Sequence, residues 1–127
     1  MGTHLLDTNV VIDFLANRLP TNGMRYMMTV VNSVPIISII SKIELLGFNG
    51  TTAAMELTED FVNISTLLDV SPEVVDKTIE LRRQYKIKLP DAIIAATALV
   101  HNLTLVSRNF DDFKRIVGLT VLDAHHI

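Results

Sequence analysis

The chain of 127 residues contains no cysteine. Disulfide bonds and thiolate metal sites are therefore excluded, and any bound metal must be held by oxygen or imidazole ligands. A cytoplasmic location agrees with this composition, and it is the location we expect.

Glycine is also scarce, with five residues in the chain. The phosphate-binding motifs GxGxxG and GxxxxGK[ST] do not occur, so the nucleotide sites that depend on such loops are not expected. No Ser-His-Asp set is recognisable either, and without cysteine there is no thiol nucleophile.

Long apolar runs are missing as well. No stretch approaches the roughly 20 apolar residues that span a bilayer. The first residues are not basic, and the apolar segment after them is interrupted by Asp7 and Asp13, so we expect no signal peptide. The length of 127 residues predicts one domain, residues 1–127, and the apolar content of 49% predicts a substantial core or apolar surface that meets a partner.

Positive charge is in deficit, since 11 basic residues face 14 acidic ones and the net charge is −3. This balance argues against binding nucleic acid by bulk positive charge, but it permits contact with phosphates through a divalent metal. Most basic residues cluster in the second half of the chain, at Arg82, Arg83, Lys86, Lys88, Arg108, Lys114 and Arg115. They form either a solvated surface or a phosphate-contacting edge beside an acidic pocket.

Short apolar segments of β type alternate with helical segments along the chain. We predict strands at 4–6, 35–39, 66–70, 104–107 and 120–122, and helices at 9–17, 23–31, 42–48, 52–61, 72–85 and 91–101. The strands are apolar on both faces, which predicts a three-layer α/β/α sandwich with a mainly parallel central sheet. In such sheets, ligands bind at the carboxyl ends of the strands.

The first predicted strand ends at a carboxylate, Asp7. Thr8 or Asn9 can cap the helix that follows, so Asp7 is not required for capping. An acid at the end of a buried strand needs a cation or hydrogen-bond donors. Asp7 is therefore the first candidate metal ligand.

Three further acids occupy comparable junctions. Glu44 comes shortly after the second strand, and Asp91 begins an almost wholly apolar helix, where an unpaired charge would be costly to bury. Asp112 lies just past the fourth strand, but spacing alone does not decide between it and the adjacent Asp111. Each acid could by itself be a favourable charge near a helix N-terminus. Together they predict a metal site.

Several carboxylates placed close together repel one another unless a cation neutralises them. Oxygen ligands suit Mg²⁺ or Mn²⁺, and the chemistry that this favours is metal-assisted phosphodiester hydrolysis. Ser107 and Asn109 precede the fourth acid and are suited to hydrogen-bonding the ligands.

Other polar residues are interpreted as lying outside the site. Asp13, six residues beyond Asp7, points elsewhere on the helix and is interpreted as a structural or surface residue. The methionines are interpreted as core or as part of a partner groove. Four histidines have no partner at metal-ligand spacing and are expected to be solvated or capping residues: His4, His101, His125 and His126.

Four segments resemble motifs of the PIN-domain family, in the same order and over essentially the whole chain. They are Asp7-Thr8-Asn9-Val10-Val11-Ile12-Asp13, Ser41-Lys42-Ile43-Glu44-Leu45-Leu46, Leu89-Pro90-Asp91-Ala92-Ile93-Ile94-Ala95-Ala96-Thr97-Ala98 and Leu105-Val106-Ser107-Arg108-Asn109-Phe110-Asp111-Asp112-Phe113. More narrowly, the chain is similar to VapC-type toxins of bacterial or archaeal type II toxin–antitoxin pairs. The resemblance implies a PIN-like nuclease domain, residues 1–127, with Mg²⁺- or Mn²⁺-dependent endoribonuclease activity.

The resemblance also assigns roles to residues. It maps the catalytic and metal-binding acids to Asp7, Glu44, Asp91 and, in the family pattern Arg-Asn-x-x-Asp-Phe, to Asp112 in preference to Asp111. Supporting roles are expected for Thr8, Asn9, Ser107 and Asn109. A homodimer is implied, inhibited by a small antitoxin protein for which we expect a docking surface on 24–31 and 52–61. The RNA target and the number of metal ions stay open.

Other classes with acids at strand ends fit the sequence less well. A receiver-type switch needs adjacent acids early in the chain and a Lys after the fifth strand, and both are missing. A haloacid-dehalogenase-type phosphatase needs Asp-x-Asp, but Asn9 stands at the third position. The remaining alternative is a non-catalytic or phosphate-regulated α/β module that binds a partner.

Overall fold

The computed structural model describes residues 3–127 and places five strands and seven helices in them. The strands are β1 (His4–Leu6), β2 (Ile36–Ser38), β3 (Thr66–Leu68), β4 (Thr104–Val106) and β5 (Val121–Leu122). The helices are α1 (Thr8–Leu15), α2 (Thr21–Asn32), α3 (Ile39–Leu46), α4 (Thr52–Ile64), α5 (Pro72–Gln84), α6 (Leu89–Val100) and α7 (Phe110–Phe113).

All strand pairs of the sheet are parallel, and the strand order is β3-β2-β1-β4-β5. The chain builds outward from β1 through β2 to β3, then returns to place β4 on the other side of β1. The direction of winding therefore reverses beside β1, and at such a switch point the loops diverge and leave a crevice at the carboxyl ends of the strands. Leu6 pairs with Val106, so the residues that follow β1 and β4 enter this crevice together.

Helices cover both faces of the sheet, which confirms the predicted three-layer α/β/α architecture. Leu5 and Leu105 pack on one face in a core with residues of α5, α6 and α7. Leu6 and Val106 pack on the other face with residues of α1, α2, α3 and α4. Because side chains alternate along a strand, a sheet buried on both sides needs apolar residues at successive positions, as these strands have.

Several boundaries differ from the predicted ones. The two largest shifts are equal: α4 extends to Ile64, and α3 begins at Ile39 because the Ser38 hydroxyl caps it by accepting a hydrogen bond from the Ser41 N–H at 3.1 Å. Glu44 therefore lies in the second turn of α3 rather than the first. The short helix α7 was not predicted, and the observed strands β2, β3, β4 and β5 are shorter than expected. None of the helices within residues 3–127 has the length and apolar character to cross a membrane.

Candidate active site

The Asp7 carboxylate lies at the carboxyl end of β1 and is only 5% exposed. The backbone N–H of Asp7 donates to the Val106 carbonyl oxygen at 2.9 Å, which brings Ser107 next to Asp7. The Ser107 hydroxyl donates to Asp7 Oδ2 at 2.7 Å, and the Thr8 N–H donates to Oδ1 at 2.8 Å. Asp7 is therefore itself the N-cap of α1, and the expectation that Thr8 or Asn9 would cap this helix is wrong.

Thr8 instead joins the first acid to the second. Its hydroxyl donates to Glu44 Oε1 at 2.6 Å and lies 2.9 Å from Ser41 Oγ. A hydroxyl carries one proton. The Thr8 hydroxyl therefore donates to Glu44, the closer of the two, and accepts a hydrogen bond from Ser41. Sequence reasoning missed Ser41, although it precedes Glu44 by three residues, a spacing that places both on one face of a helix. Asn9 is exposed to solvent.

Asp91 is the third residue of α6 and is half-buried rather than fully buried. Burial raises the pKa of its carboxyl group, and the negative charges of Glu44 and Asp112 raise that pKa further, while Lys88 lowers it. Asp91 thus interacts electrostatically with acids from α3 and α7. It is the link between the two ends of the acidic cluster.

The pKa of Asp7 is also raised, above all by burial and further by Asp91 and Glu44. The hydrogen bonds from Ser107 and Thr8 stabilise the ionised form and oppose part of this rise. The elevated pKa means that the charged carboxylate is disfavoured in the protein without a cation. A bound cation would remove this penalty.

The four acids form one connected group, called the acidic row below: the charges of Asp91 and Glu44 act on Asp7, and those of Glu44 and Asp112 act on Asp91. Within residues 3–127, no three acidic or imidazole side chains lie close enough to enclose a metal ion by themselves. Such an arrangement suits Mg²⁺, which keeps several of its waters and is commonly held by one or two carboxylates together with substrate phosphate. The all-oxygen donor set fits Mg²⁺ or Mn²⁺.

The structure separates the two adjacent acids of α7. Asp112 lines an open cavity of about 630 Å³ together with Asp91 and Asn109. Asp111 points to a different cavity and forms a salt bridge with Lys114 at 3.1 Å. Asp112, and not Asp111, therefore lies beside the third acid. The Asn109 N–H donates to Ser107 Oγ at 2.9 Å, which ties the start of α7 to the hydroxyl that holds Asp7.

Asp13 lies outside this row but is buried, so the surface alternative for this residue is wrong and the structural one fits. Its carboxylate accepts a hydrogen bond from Arg108 Nη1 at 3.1 Å and lies 3.1 Å from His125 Nε2. The expectation that His125 would be a solvated or capping residue is therefore wrong. Arg108 directly follows Ser107, so this contact anchors the segment that enters the site.

The PIN domain model matches residues 4–119 of the chain. A structure described as a toxin–antitoxin complex from Klebsiella pneumoniae is similar, with 31% identity, a TM-score of 0.77 and coverage of 98% of this chain and 99% of that chain. DNA-bound VapBC from Salmonella typhimurium is similar at 28% identity and a TM-score of 0.78, with the same coverage.

FitAcB from Neisseria gonorrhoeae, at 20% identity, has a TM-score of 0.78 over 98% of this chain and 99% of that chain, and it shares the fold. A search among curated protein sequences finds no match. The family match covers all four acids, and the matched structures extend over nearly the whole chain. The chain therefore belongs to the PIN domain family, with the fold found in VapBC toxin–antitoxin complexes.

Proposed function

We propose that this protein is a Mg²⁺- or Mn²⁺-dependent endoribonuclease and the toxin of a type II toxin–antitoxin pair, acting in the cytoplasm as a homodimer. The observation that carries the proposal is the acidic row at the switch point, where burial and the neighbouring acids raise the pKa of Asp7. A site that disfavours its own negative charges is adapted to a divalent cation. Membership of the PIN family supports a nuclease in particular.

In this proposal, Asp7, Glu44, Asp91 and Asp112 hold the metal. A bound divalent ion supplies an activated water and stabilises the leaving oxygen of the phosphodiester. The hydroxyls of Thr8 and Ser107 fix the orientation of the Glu44 and Asp7 carboxylates through bonds of 2.6 and 2.7 Å. Each carboxylate oxygen retains lone pairs beyond the hydrogen bond it accepts, so orientation and metal binding are compatible.

The direct test is incubation of the purified protein with structured RNA in Mg²⁺, in EDTA, and in EDTA followed by excess Mn²⁺. We expect cleavage with Mg²⁺, none with EDTA, and recovery with Mn²⁺. Cleavage that persists in EDTA would exclude the metal mechanism. If varied RNAs remain intact under all metal conditions while the protein still binds a partner, the non-catalytic binding module would be favoured instead.

An apolar groove supports the proposed antitoxin partner. It has a volume of about 380 Å³ and lies between α1, the end of α3 and α4, with Ile12, Leu15, Leu45, Phe48, Ala54 and Leu57 in its lining. The matched complexes from Klebsiella and Salmonella contain an antitoxin or are VapBC assemblies, as their descriptions state. We infer that an apolar segment of the antitoxin binds in this groove, where its burial contributes roughly 25 cal/mol per Å².

The groove changes the predicted docking surface in one respect. Residues of α4 line it, in agreement with the expectation for 52–61, but α2 does not contribute to its lining. Met27 and Val30 of α2 are buried in the core instead. We therefore propose the groove as the main antitoxin site, while docking on 24–31 stays a prediction because Met28 of α2 is exposed.

The substitution Leu57→Arg, at a groove residue that is 46% exposed, should weaken antitoxin binding by about tenfold or more, because it places a charge in an apolar contact. Co-purification with the co-expressed antitoxin and calorimetry on the separated proteins would measure the change. Val117→Arg, at an apolar residue that is 85% exposed and not part of the groove lining, is the matched control. Equal affinities for the Leu57→Arg and wild-type proteins would exclude this location.

A further inference from the structure

The basic residues in the second half of the chain fall into separate groups in the structure. Arg108 contacts Asp13, Lys114 contacts Asp111 and Lys77 contacts Glu80, while Arg83 lies in a cavity with Asp76 and Glu80. The other four line the same open cavity as two of the acids: Arg82, Lys86, Lys88 and Arg115. The cavity thus joins a cationic wall to the Asp91–Asp112 end of the acidic row.

These four cations are free of salt bridges in the part of the chain that the structure describes. None of the salt bridges found in residues 3–127 involves any of them. Lys88 partly offsets the negative charge of Asp91, and all four cations line the cavity together with Asp91 and Asp112. When a divalent ion neutralises those acids, the positive charge of the wall is left without a counterpart, which favours an anionic ligand in the cavity.

Arg115 holds the wall in place. Its Nε donates to the Asp112 carbonyl oxygen at 3.2 Å, and its Nη2 donates to the Lys86 carbonyl oxygen. The guanidinium also lies over the Tyr85 ring, 5.9 Å from the ring centre. These contacts tie the connection between α5 and α6 to α7. Lys86 and Lys88, which lie on that connection, are therefore held near α7 in the lining of the cavity.

The charge distribution along the acidic row is asymmetric. Asp7 and Glu44 do not line the basic cavity. Around Glu44, the exposed side chains of α3 include the apolar Ile43 and Leu46. A polyanion that crosses the row would therefore find its phosphate contacts mainly beyond Asp91 and Asp112.

We propose that the cavity lined by Arg82, Lys86, Lys88 and Arg115 binds the RNA backbone and takes most of the phosphate contacts, on one side of the bond that is cut. This inference rests on the proposed nuclease function and extends it by assigning the part of the site that holds the substrate. Contacts of this kind position a strand without reading its bases. They are expected to contribute to affinity and to make that affinity depend on salt.

The test compares Arg82→Gln with Arg83→Gln. These neighbours in the last turn of α5 are both exposed, and both changes remove one positive charge, but only Arg82 faces the acidic row. Binding of a fluorescein-labelled oligouridylate is followed by anisotropy over a series of KCl concentrations, with Ca²⁺ in place of Mg²⁺ to neutralise the acids, and a gel verifies that the oligonucleotide stays intact. For Arg82→Gln, we expect weaker binding and a salt slope reduced by about 0.7, the value for one lost contact with single-stranded nucleic acid. Arg83→Gln should retain the wild-type slope.

Two further measurements make the outcome decisive. Arg82→Lys keeps the charge and should restore most of the salt slope, and in Mg²⁺ the Arg82→Gln protein should show a raised KM with little change in kcat. Equal losses in Arg82→Gln and Arg83→Gln, or no loss in either, would overturn the subsite. A protein that binds through Arg82 in Ca²⁺ but cuts no RNA in Mg²⁺ would contradict the nuclease function and leave the subsite standing.

Discussion

Asp7→Asn is expected to abolish metal-dependent RNA cleavage, with a fall in kcat of about a thousandfold, the scale seen when a decisive group that stabilises the transition state is lost. Asp7 is the most buried of the four acids and lies where the carboxyl ends of β1 and β4 meet. The amide is close in shape but carries no charge, so it binds a hard cation poorly. Initial rates with Mg²⁺ at saturating RNA would measure the effect.

The same substitution should make the metal-free protein more stable at neutral pH. The pKa of Asp7 is raised in the fold, so its contribution to stability is present below the pKa of the unfolded chain and is lost as the pH rises through the folded pKa. Burial of the charge and its repulsion by Asp91 and Glu44 act against the fold once Asp7 is ionised. We expect Asp7→Asn to raise the melting temperature by about a few degrees in EDTA, and the gain to disappear near pH 4.

Adding Mn²⁺ should reverse the order of stability, so that the wild-type protein becomes more stable than Asp7→Asn. The wild-type protein gains stability in proportion to the logarithm of metal saturation, whereas Asp7→Asn gains little. Asp91→Asn should likewise be more stable than the wild type in EDTA and gain little stability from Mn²⁺. If Asp7→Asn is less stable than the wild type in EDTA, then the hydrogen bonds from Ser107 and Thr8 outweigh the cost of burying the charge. If it still cuts RNA at the wild-type rate, Asp7 is not a ligand.

The order of strands and helices could be predicted from the sequence because the pattern is local. Apolar residues at successive positions marked strands such as β2 and β4, and Pro72 and Pro90 marked the starts of α5 and α6. The start of α3 was harder to predict from the sequence. Its first residues, Ile39 and Ile40, have the same apolar character as the strand before them, and only the Ser38 cap separates the two elements.

The candidate site was only partly predictable, because its decisive contacts join residues that are far apart in the sequence. Asp7, Thr8 and Asn9 all have good capping side chains, and the choice among them depends on Ser107 and Glu44, which are far away in sequence. The buried contact of Asp13 with His125 joins residues more than a hundred positions apart. Local spacing contains no information about such pairs, whereas the strand-end rule does place Asp7 near the residues after β4.

Asp112→Asn is expected to lower metal-dependent cleavage by about tenfold or more, whereas Asp111→Asn should change it by less than about twofold. The two acids are adjacent, both exposed and both within α7, so the substitutions are matched in charge and in local structure. Only Asp112 lies beside Asp91, whose pKa it helps to raise. Asp111 is paired with Lys114 on the surface, where the loss of a salt bridge has little effect.

The size of the Asp112 effect should depend on metal concentration. An exposed acid at the end of the row contributes to holding the ion, but a water can take its place, so Asp112→Asn should raise the Mg²⁺ concentration needed for half-maximal activity. Raising Mg²⁺ should then recover part of the rate, which Asp7→Asn cannot do. The opposite ranking, with Asp111→Asn the more damaged protein, would mean that α7 turns when metal and RNA bind and that the fourth acid is Asp111.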